Sequence, residues 1–141
     1  MSITGENIRN IAVIGHSGEG KTTLCEAMLF NGGAVDRQGK VMDGTTVTDF
    51  DDLEKSKKMS VYTACAYLMW KDTKINLIDL PGFYDFEGER HEGLRAAGGA
   101  LLVIGANCVL PIGAESVVDY CLRLGTAWIR KMPTISAPSA R

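Results

Sequence analysis

The sequence has little proline, no large excess of either charge and no long hydrophobic run. It contains 4 prolines against 16 glycines in 141 residues, with 45% hydrophobic and 23% charged residues. This composition is ordinary for a globular protein and excludes collagen-like, coiled-coil and disordered chains. The length fits one compact domain, and no internal repeat is visible.

Basic residues are too few for strong electrostatic attraction to nucleic acid. Fifteen lysines and arginines against 17 aspartates and glutamates leave a formal net charge of −2. We therefore predict no direct nucleic-acid site in this segment.

The longest apolar stretch, residues 96–106, is well short of the roughly 20 residues that a membrane span requires. Residues 1–10 are polar and do not resemble a signal peptide. We expect a cytoplasmic protein with no membrane partner.

The cysteines lack the spacing of a metal site or a redox motif. No two of them form a C-x-x-C pair, and no pair of histidines lies near any of them. We predict four reduced thiols, as is typical of cytosolic proteins. They are Cys25, Cys65, Cys108 and Cys121.

Short apolar runs alternate with helical patterns along the chain, which predicts a sheet built from parallel crossover units. The predicted strands are residues 8–14, 61–70, 74–79 and 100–106. The predicted helices are residues 21–30, 89–97 and 114–124.

The polar segments between these elements are predicted to be loops. Residues 34–58 lack a clean period and are predicted to form a long mobile loop, which in a compact domain is usually functional. Residues 71–73 are predicted to close a hairpin, and residues 80–88 to form a second loop. Residues 126–141 contain two prolines and several Ser and Ala residues, so we predict a disordered tail there.

A phosphate-binding pattern, G-x-x-x-x-G-K-[ST], lies between the first predicted strand and the first predicted helix. Its glycines allow a tight turn in which backbone N–H groups point at phosphate oxygens, at the positive end of the helix. We expect Lys21 to reach the β- and γ-phosphates and the Thr22 hydroxyl to bind Mg²⁺. The motif consists of Gly15, His16, Ser17, Gly18, Glu19, Gly20, Lys21 and Thr22.

A second motif, D-x-x-G, directly follows the predicted strand 74–79. Asp79, at the end of a buried strand beside the phosphate loop, can hold Mg²⁺ through water. Gly82 can offer its N–H to a γ-phosphate, so the following loop would respond to that phosphate. The motif consists of Asp79, Leu80, Pro81 and Gly82.

From residue 9 to about residue 125 the sequence resembles the start of the nucleotide-binding domain of elongation factor G and related translational GTPases. Besides the two motifs and Thr23, the resemblance rests on Arg9, Asn10, Ile11, Asp43, Gly44, Asp49, Phe50, Trp70, Lys71, Asp85, Phe86, Glu115 and Ser116. It implies an α/β fold, a P-loop GTPase-type three-layer sandwich. The sheet would be mostly parallel with one antiparallel hairpin strand, and incomplete at its C-terminal side. Residues 1–125 would form a partial GTP-binding domain.

The resemblance implies a factor that binds GTP or GDP with Mg²⁺ and acts on the ribosome. An intact relative hydrolyses GTP to GDP and phosphate by direct attack of water, with Lys21 stabilising the developing charge. Thr22, Ser60 and Asp79 would hold Mg²⁺, Ser60 standing in place of a threonine of the first switch loop. The residues expected to contact nucleotide are Gly15, His16, Ser17, Gly18, Glu19, Gly20, Lys21, Thr22, Thr23, Ser60, Asp79, Leu80, Pro81, Gly82 and Phe83.

The sequence departs from the family pattern in three places: the first switch, with Ser60 and Lys58, the position of Phe83, and the base-reading motif. Lys58 replaces a glycine of the first switch. Phe83 stands where a histidine usually positions the attacking water, and it has no polar atom for that task. His91 is a candidate substitute or an ordinary surface histidine. The guanine-reading Asn-Lys-x-Asp motif is absent around Pro133.

The missing motif leads us to expect a truncated or frame-shifted chain. The predicted strand 100–106 would then lack its neighbour, and the exposed edge would leave the chain marginally stable.

Other functions remain open from the sequence alone. A nucleotide-responsive module that does not hydrolyse GTP, or an inactive fragment, is compatible with Phe83 and the missing base-reading motif. Within the GTPase class, a ribosomal protection factor of the tetracycline-resistance type shares these motifs. A small-molecule P-loop kinase is disfavoured by the D-x-x-G after a hairpin.

Overall fold

The architecture is a mixed five-stranded sheet with helices on both faces. It is seen in a computed structural model that describes residues 3–105, 119 and 127–131. The strands are β1 (Ile8–Ile14), β2 (Ala64–Trp70), β3 (Thr73–Asp79), β4 (Gly99–Val103) and β5 (Ala127–Lys131). The helices within the described residues are α1 (Lys21–Asn31), α2 (Asp52–Lys57) and α3 (Glu87–Ala96).

The strand order is β2-β3-β1-β4-β5, with one antiparallel pair. Strand β1 pairs in parallel with both β3 and β4, and β4 pairs in parallel with β5. Strands β2 and β3 form the predicted hairpin, whose turn places Lys71 at a φ of 53°. The mostly parallel sheet with one antiparallel hairpin strand confirms the predicted fold class.

Side chains of β1 alternate between two buried clusters, one on each face of the sheet. Ala12 and Ile14 pack in a cluster that includes Leu94 of α3. Val13 packs on the opposite face with Cys25 and Leu29 of α1. The alternation therefore produces three layers, helix, sheet and helix. The parallel pairing of β1 with β3, in which Val13 lies opposite Asp79, places the carboxyl ends of these two strands side by side.

The segment 34–58 contains regular secondary structure, although its sequence shows no hydrophobic period. It contains a 3₁₀ turn at Val41–Asp43 and the helix α2. The Asp51 side chain accepts a hydrogen bond from Leu53 N at 2.8 Å, and Glu54 Oε2 accepts one from Asp51 N at 3.3 Å. This reciprocal capping box stabilises a helix too short to show a hydrophobic period. The prediction of a long loop over residues 34–58 is therefore wrong for residues 41–43 and 52–57.

Residues 127–131 form a strand, so the predicted disordered tail is wrong for that part of 126–141. The register runs from Gly99 opposite Ala127 to Val103 opposite Lys131. This pairing supplies hydrogen-bond partners to the backbone of β4, so the predicted exposed edge at that strand is wrong as well. The predicted helix 114–124, apart from Asp119, and residues 132–141 lie outside the described residues. The division at residue 125 stays a prediction.

No described helix has the length and apolar character that crossing a bilayer demands.

Candidate functional site

The phosphate loop lies between the carboxyl end of β1 and the first turn of α1. Gly20 immediately precedes the helix at a φ of 86°, a left-handed conformation that side-chain-bearing residues rarely adopt. Helix α1 begins directly after it at Lys21, so the free N–H groups of its first turn lie at the loop. This is the placement that the motif predicted.

The Lys21 side chain is folded back along the loop and buried, with 6% of its surface exposed. Its Nζ donates a 3.0 Å hydrogen bond to the carbonyl oxygen of His16. Burial lowers the pKa of Lys21, and the carboxylate of Asp79 opposes that shift. The loop therefore holds a cation whose remaining N–H donors are available to an anion.

Thr22, Ser60 and Asp79, the three residues expected to hold Mg²⁺, lie together. Thr22 Oγ1 donates a 2.8 Å hydrogen bond to Asp79 Oδ2 and lies 3.1 Å from Ser60 Oγ. Thr48 Oγ1 also donates to Asp79 Oδ2, at 3.0 Å. Asp79 Oδ1 is buried and accepts no hydrogen bond from the described residues. Carboxylate and hydroxyl oxygens are ligands that Mg²⁺ prefers, so this donor set fits the ion.

The Asp79 carboxyl is held in an environment that favours its neutral form. Burial raises its pKa to about 6, against the hydrogen bond from Thr22, the charge of Lys21 and the hydrogen bond from Thr48. A divalent cation would favour the charged form instead.

The D-x-x-G segment packs directly on the phosphate loop. Leu80 is fully buried, and its N–H donates a 3.2 Å hydrogen bond to the carbonyl oxygen of Val13. A Cβ atom added to Gly82 would meet Lys21 Nζ and would lie 2.5 Å from Ser17 N. Only glycine allows this approach, which brings the second motif against the first.

A cavity of about 250 Å³ opens over these groups. Its described lining consists of Ser17, Gly18, Gly20, Lys21, Thr22, Thr23, Val41, Met42, Asp49, Lys58, Met59, Ser60 and Gly82. The cavity lies outside the carboxyl ends of the parallel strands, where open α/β sheets bind ligands. Both motifs and the segment before β2 therefore meet at one cavity.

Seven predicted contact residues are not among the described residues that line the cavity: Gly15, His16, Glu19, Asp79, Leu80, Pro81 and Phe83. Phe83 is 36% exposed, and the centroid of its ring is 6.4 Å from that of His16. His91 lies on α3, with Nε2 3.7 Å from Glu87 Oε1. Lys58, in the place of a glycine, takes a left-handed φ of 55°, the conformation for which glycine is favoured.

A sequence model of the elongation factor Tu GTP binding domain matches residues 6–130. The chain belongs to this family of GTP-binding domains. It is 45% identical over 118 residues to an elongation factor G-like protein of Mycobacterium tuberculosis, covering 84% of this chain and 16% of that protein. It is 44% identical over 99 residues to the tetracycline resistance protein TetM from transposon Tn1545 of Enterococcus faecalis, covering 70% of this chain and 16% of that protein.

A crystal structure of a Thermus thermophilus protein superimposes with a TM-score of 0.86 at 38% identity, covering 91% of this chain and 19% of that one. This GTP-binding domain therefore spans less than a fifth of the length of each protein compared.

Sequence reasoning missed the carboxylates that hold the first switch segment of this GTP-binding domain. Glu26 on α1 is fully buried and accepts hydrogen bonds from Gly39 N and Val47 N. Glu54 on α2 accepts from Val61 N at 2.9 Å and Tyr62 N at 3.1 Å. An acidic residue on the core-facing side of a predicted helix was the available signal for Glu26. A buried carboxylate is costly unless it accepts hydrogen bonds, and here backbone N–H groups of the first switch segment donate them.

Proposed function

We propose that the chain binds GTP and GDP with Mg²⁺ as the nucleotide-binding part of a cytoplasmic, elongation factor G-like translational GTPase. The observation that supports this proposal best is that Lys21, Thr22 and Ser60 line one cavity. Behind them, the buried Asp79 accepts a hydrogen bond from Thr22. One cation and a cluster of metal-binding oxygens at the start of a helix suit a nucleotide polyphosphate with its ion.

Each group has a defined task in this proposal. The N–H groups of the phosphate loop and Lys21 bind the phosphate oxygens. Thr22, Ser60 and Asp79 would hold Mg²⁺, and the ion would neutralise charge on the phosphates. The Gly82 N–H binds the γ-phosphate, so the D-x-x-G segment moves with the presence of that group. In hydrolysis, water attacks the γ-phosphorus, the bond from that phosphorus to the β,γ-bridging oxygen breaks, and GDP and phosphate leave. Lys21 stabilises the negative charge that develops.

The ribosome is the proposed partner, by analogy with relatives named as an elongation factor G-like protein and a tetracycline resistance protein. A whole protein of either type would contain much more than this chain. The proposed ribosomal contact therefore belongs to an intact factor, and a role in elongation or in ribosomal protection is equally compatible with this domain.

A nucleotide-responsive module without turnover is the second candidate function. It is favoured by Phe83, which packs against His16 and offers no atom to orient water. Water orientation affects the transition state, whereas nucleotide affinity depends mainly on the phosphate and metal contacts. Binding and hydrolysis are therefore separable, and each has its own assay.

The test is a titration of fluorescent GTP, GDP and ATP into the full chain, with phosphate release measured with and without ribosomes. Lys21→Ala should weaken GTP binding roughly 10- to 100-fold, because a hydrogen bond to a charged group contributes about 1.5–3 kcal/mol. Lys57→Ala removes the same charge from the exposed surface of α2 and should bind normally. Equal affinity of wild type and Lys21→Ala would contradict the site.

The titration with ATP measures whether the chain selects guanine over adenine. Similar affinities for GTP and ATP would indicate recognition of phosphates without the base. Phosphate release separates the two candidates: turnover supports the GTPase, and binding without turnover supports the switch module.

A further inference from the structure

Lys58 is a cation of the cavity lining that neither motif assigns to the nucleotide. It lies between helix α2 and Ser60, at the position where the family pattern has a glycine. Lys21 is the other cation among the described residues of the lining. The two lysines come from different segments, the end of α2 and the first turn of α1. Positive charge therefore borders the cavity on the first switch segment as well as on the phosphate loop.

The backbone at Lys58 has a conformation that costs a lysine more than a glycine. Its φ is 55° and its ψ is 38°, and its N–H donates to the carbonyl oxygen of Glu54. On the other side of Lys58, Val61 N donates to Glu54 Oε1 at 2.9 Å. Residues other than glycine in this left-handed region cluster at ligand clamps and switch segments. The position is thus anchored on both sides, and the lysine retains strain that a glycine would not have.

The side chain of Lys58 is long enough to reach the predicted phosphate site. Lys58 is two residues before Ser60, so their Cα atoms are at most about 7 Å apart. Ser60 Oγ lies 3.1 Å from the hydroxyl oxygen of Thr22, the residue that follows Lys21. Because the lysine side chain is a flexible four-carbon stem, its Nζ can extend over the groups proposed to bind the β- and γ-phosphates.

The ammonium group of Lys58 lies at the rim of the cavity. Lys58 is exposed, and its Nζ is 3.7 Å from where a Cβ on Gly44 would stand. Val41 and Met42, in the turn that Gly44 ends, also line the cavity. No described carboxylate forms an ion pair with Lys58. The ammonium therefore need not leave a described carboxylate in order to bind an anion.

We propose that Lys58 is a second cation of the nucleotide site, that its ammonium binds the terminal phosphate of GTP, and that it makes the first switch segment prefer GTP over GDP. The inference rests on the proposed function, because it names a further contact of the same nucleotide. The Thr22 and Ser60 hydroxyls mark the β- and γ-phosphate end of the site, since the Mg²⁺ of a nucleotide bridges those two phosphates. GDP lacks the γ-phosphate, so Lys58 contributes to the affinity for GTP alone.

The experiment measures binding of fluorescent GDP and of a fluorescent GTP analogue that cannot be hydrolysed, to the full chain in Mg²⁺. Lys58→Gly removes the cation and relieves the left-handed strain, so the variant should fold at least as well as wild type. It should weaken binding of the GTP analogue about 10- to 100-fold, the loss expected for a hydrogen bond to a charged group. Its affinity for GDP should be unchanged. Lys58→Arg keeps the charge and should keep most of the preference for the GTP analogue.

Lys71→Gly is the matched control. Lys71 is also exposed and left-handed, with a φ of 53°. It lies in the turn between β2 and β3 and is not among the described residues that line the cavity. The control therefore removes the same charge and relieves the same kind of strain, and it should bind both nucleotides as wild type does.

The outcomes separate this inference from the proposed function. If wild type binds both nucleotides and Lys58→Gly weakens both equally, Lys58 has a general electrostatic or structural role and only this inference fails. Unchanged or increased affinity of Lys58→Gly for the GTP analogue would overturn the inference too. If wild type binds neither nucleotide, the proposed function fails, and this inference fails with it.

Chemical modification of the wild-type chain gives an independent measurement. An amine-reactive ester modifies accessible lysines, and peptide mapping measures the rate at each one. The GTP analogue should slow the modification of Lys58 relative to GDP, because the bound ammonium is shielded. Lys57 and Lys71, both exposed, should react at the same rate with either nucleotide. Equal reactivity of Lys58 with the GTP analogue and with GDP would contradict a contact with the terminal phosphate.

Discussion

The backbone N–H of Val47 donates a 2.6 Å hydrogen bond to Glu26 Oε1. The other oxygen of the same carboxylate accepts from Gly39 N at 2.9 Å. One buried side chain of α1 therefore ties together the two ends of the segment 39–47, which supplies part of the cavity lining. The switch segment is held by the helix that also begins at the phosphate loop.

Glu26→Gln tests this restraint. The amide keeps one acceptor oxygen and replaces the other with a donor, so one buried N–H is left without a partner. We expect unfolding free energy to fall by about 1–3 kcal/mol, measured by urea denaturation. Proteases should also cut residues 39–50 faster. Glu92→Gln, at an exposed position of α3, is the control, and equal behaviour of the two variants would contradict the restraint.

The phosphate site could be predicted from the sequence because the residues that form it are close together in the chain. The first strand was predicted at its observed bounds, Ile8–Ile14, and the first helix within one residue of its end. Glycine and lysine at fixed spacing define the loop without reference to distant contacts. The D-x-x-G motif could likewise be placed, because Asp79 ends a strand whose apolar run is visible.

The remaining features depend on contacts between distant residues. Whether residues 127–131 pair with β4 depends on a neighbour more than 20 positions away, and their composition gives no apolar period. Thr48 looks like an ordinary polar loop residue until the fold brings its hydroxyl to Asp79. Propensity and periodicity describe neighbours in sequence, so they cannot show which polar side chain closes a distant cavity.

Gly82→Ala should disturb the contact between the two motifs. The added Cβ would lie 2.5 Å from Ser17 N and 2.7 Å from the carbonyl carbon of His16, and backbone atoms cannot yield as a flexible side chain can. We expect a loss of about 1–3 kcal/mol in unfolding free energy and weaker GTP binding.

Gly88→Ala is the matched control for that variant. Gly88 lies in α3, and a Cβ there would meet nothing within 4 Å. Since alanine favours helix more than glycine, this change should raise unfolding free energy by up to about 1 kcal/mol. Thermal melts of both variants measure the difference. A Gly82→Ala chain as stable as Gly88→Ala would show that the D-x-x-G segment does not pack on the loop.

The cysteines should differ in reactivity according to their burial. Burial raises the pKa of the Cys25 thiol well above its usual range, and the Asp79 carboxylate adds to that effect. The thiolate is the reactive form, so Cys25 should resist alkylation in the folded chain, whereas the exposed Cys65 reacts readily. Peptide mapping after iodoacetamide treatment near pH 8 measures both rates. Denaturant should abolish the difference, and rapid labelling of Cys25 without denaturant would contradict the packing of α1 on the sheet.

Phe83→His should raise the rate of phosphate release with little change in GTP affinity. Phe83 is outside the described cavity lining, so its replacement leaves the phosphate and metal contacts in place. An imidazole at that position can accept or donate a hydrogen bond to water, and a positioned acid–base group typically contributes about 10²–10⁴ in rate. We expect an increase of at least about tenfold in single-turnover hydrolysis by the full chain.

Phe83→Ala is the control, because it removes the ring beside His16 without adding a group that can position water. An equal rise in both variants would show that Phe83 limits hydrolysis by its bulk, and no rise in either would favour the module that binds without turnover.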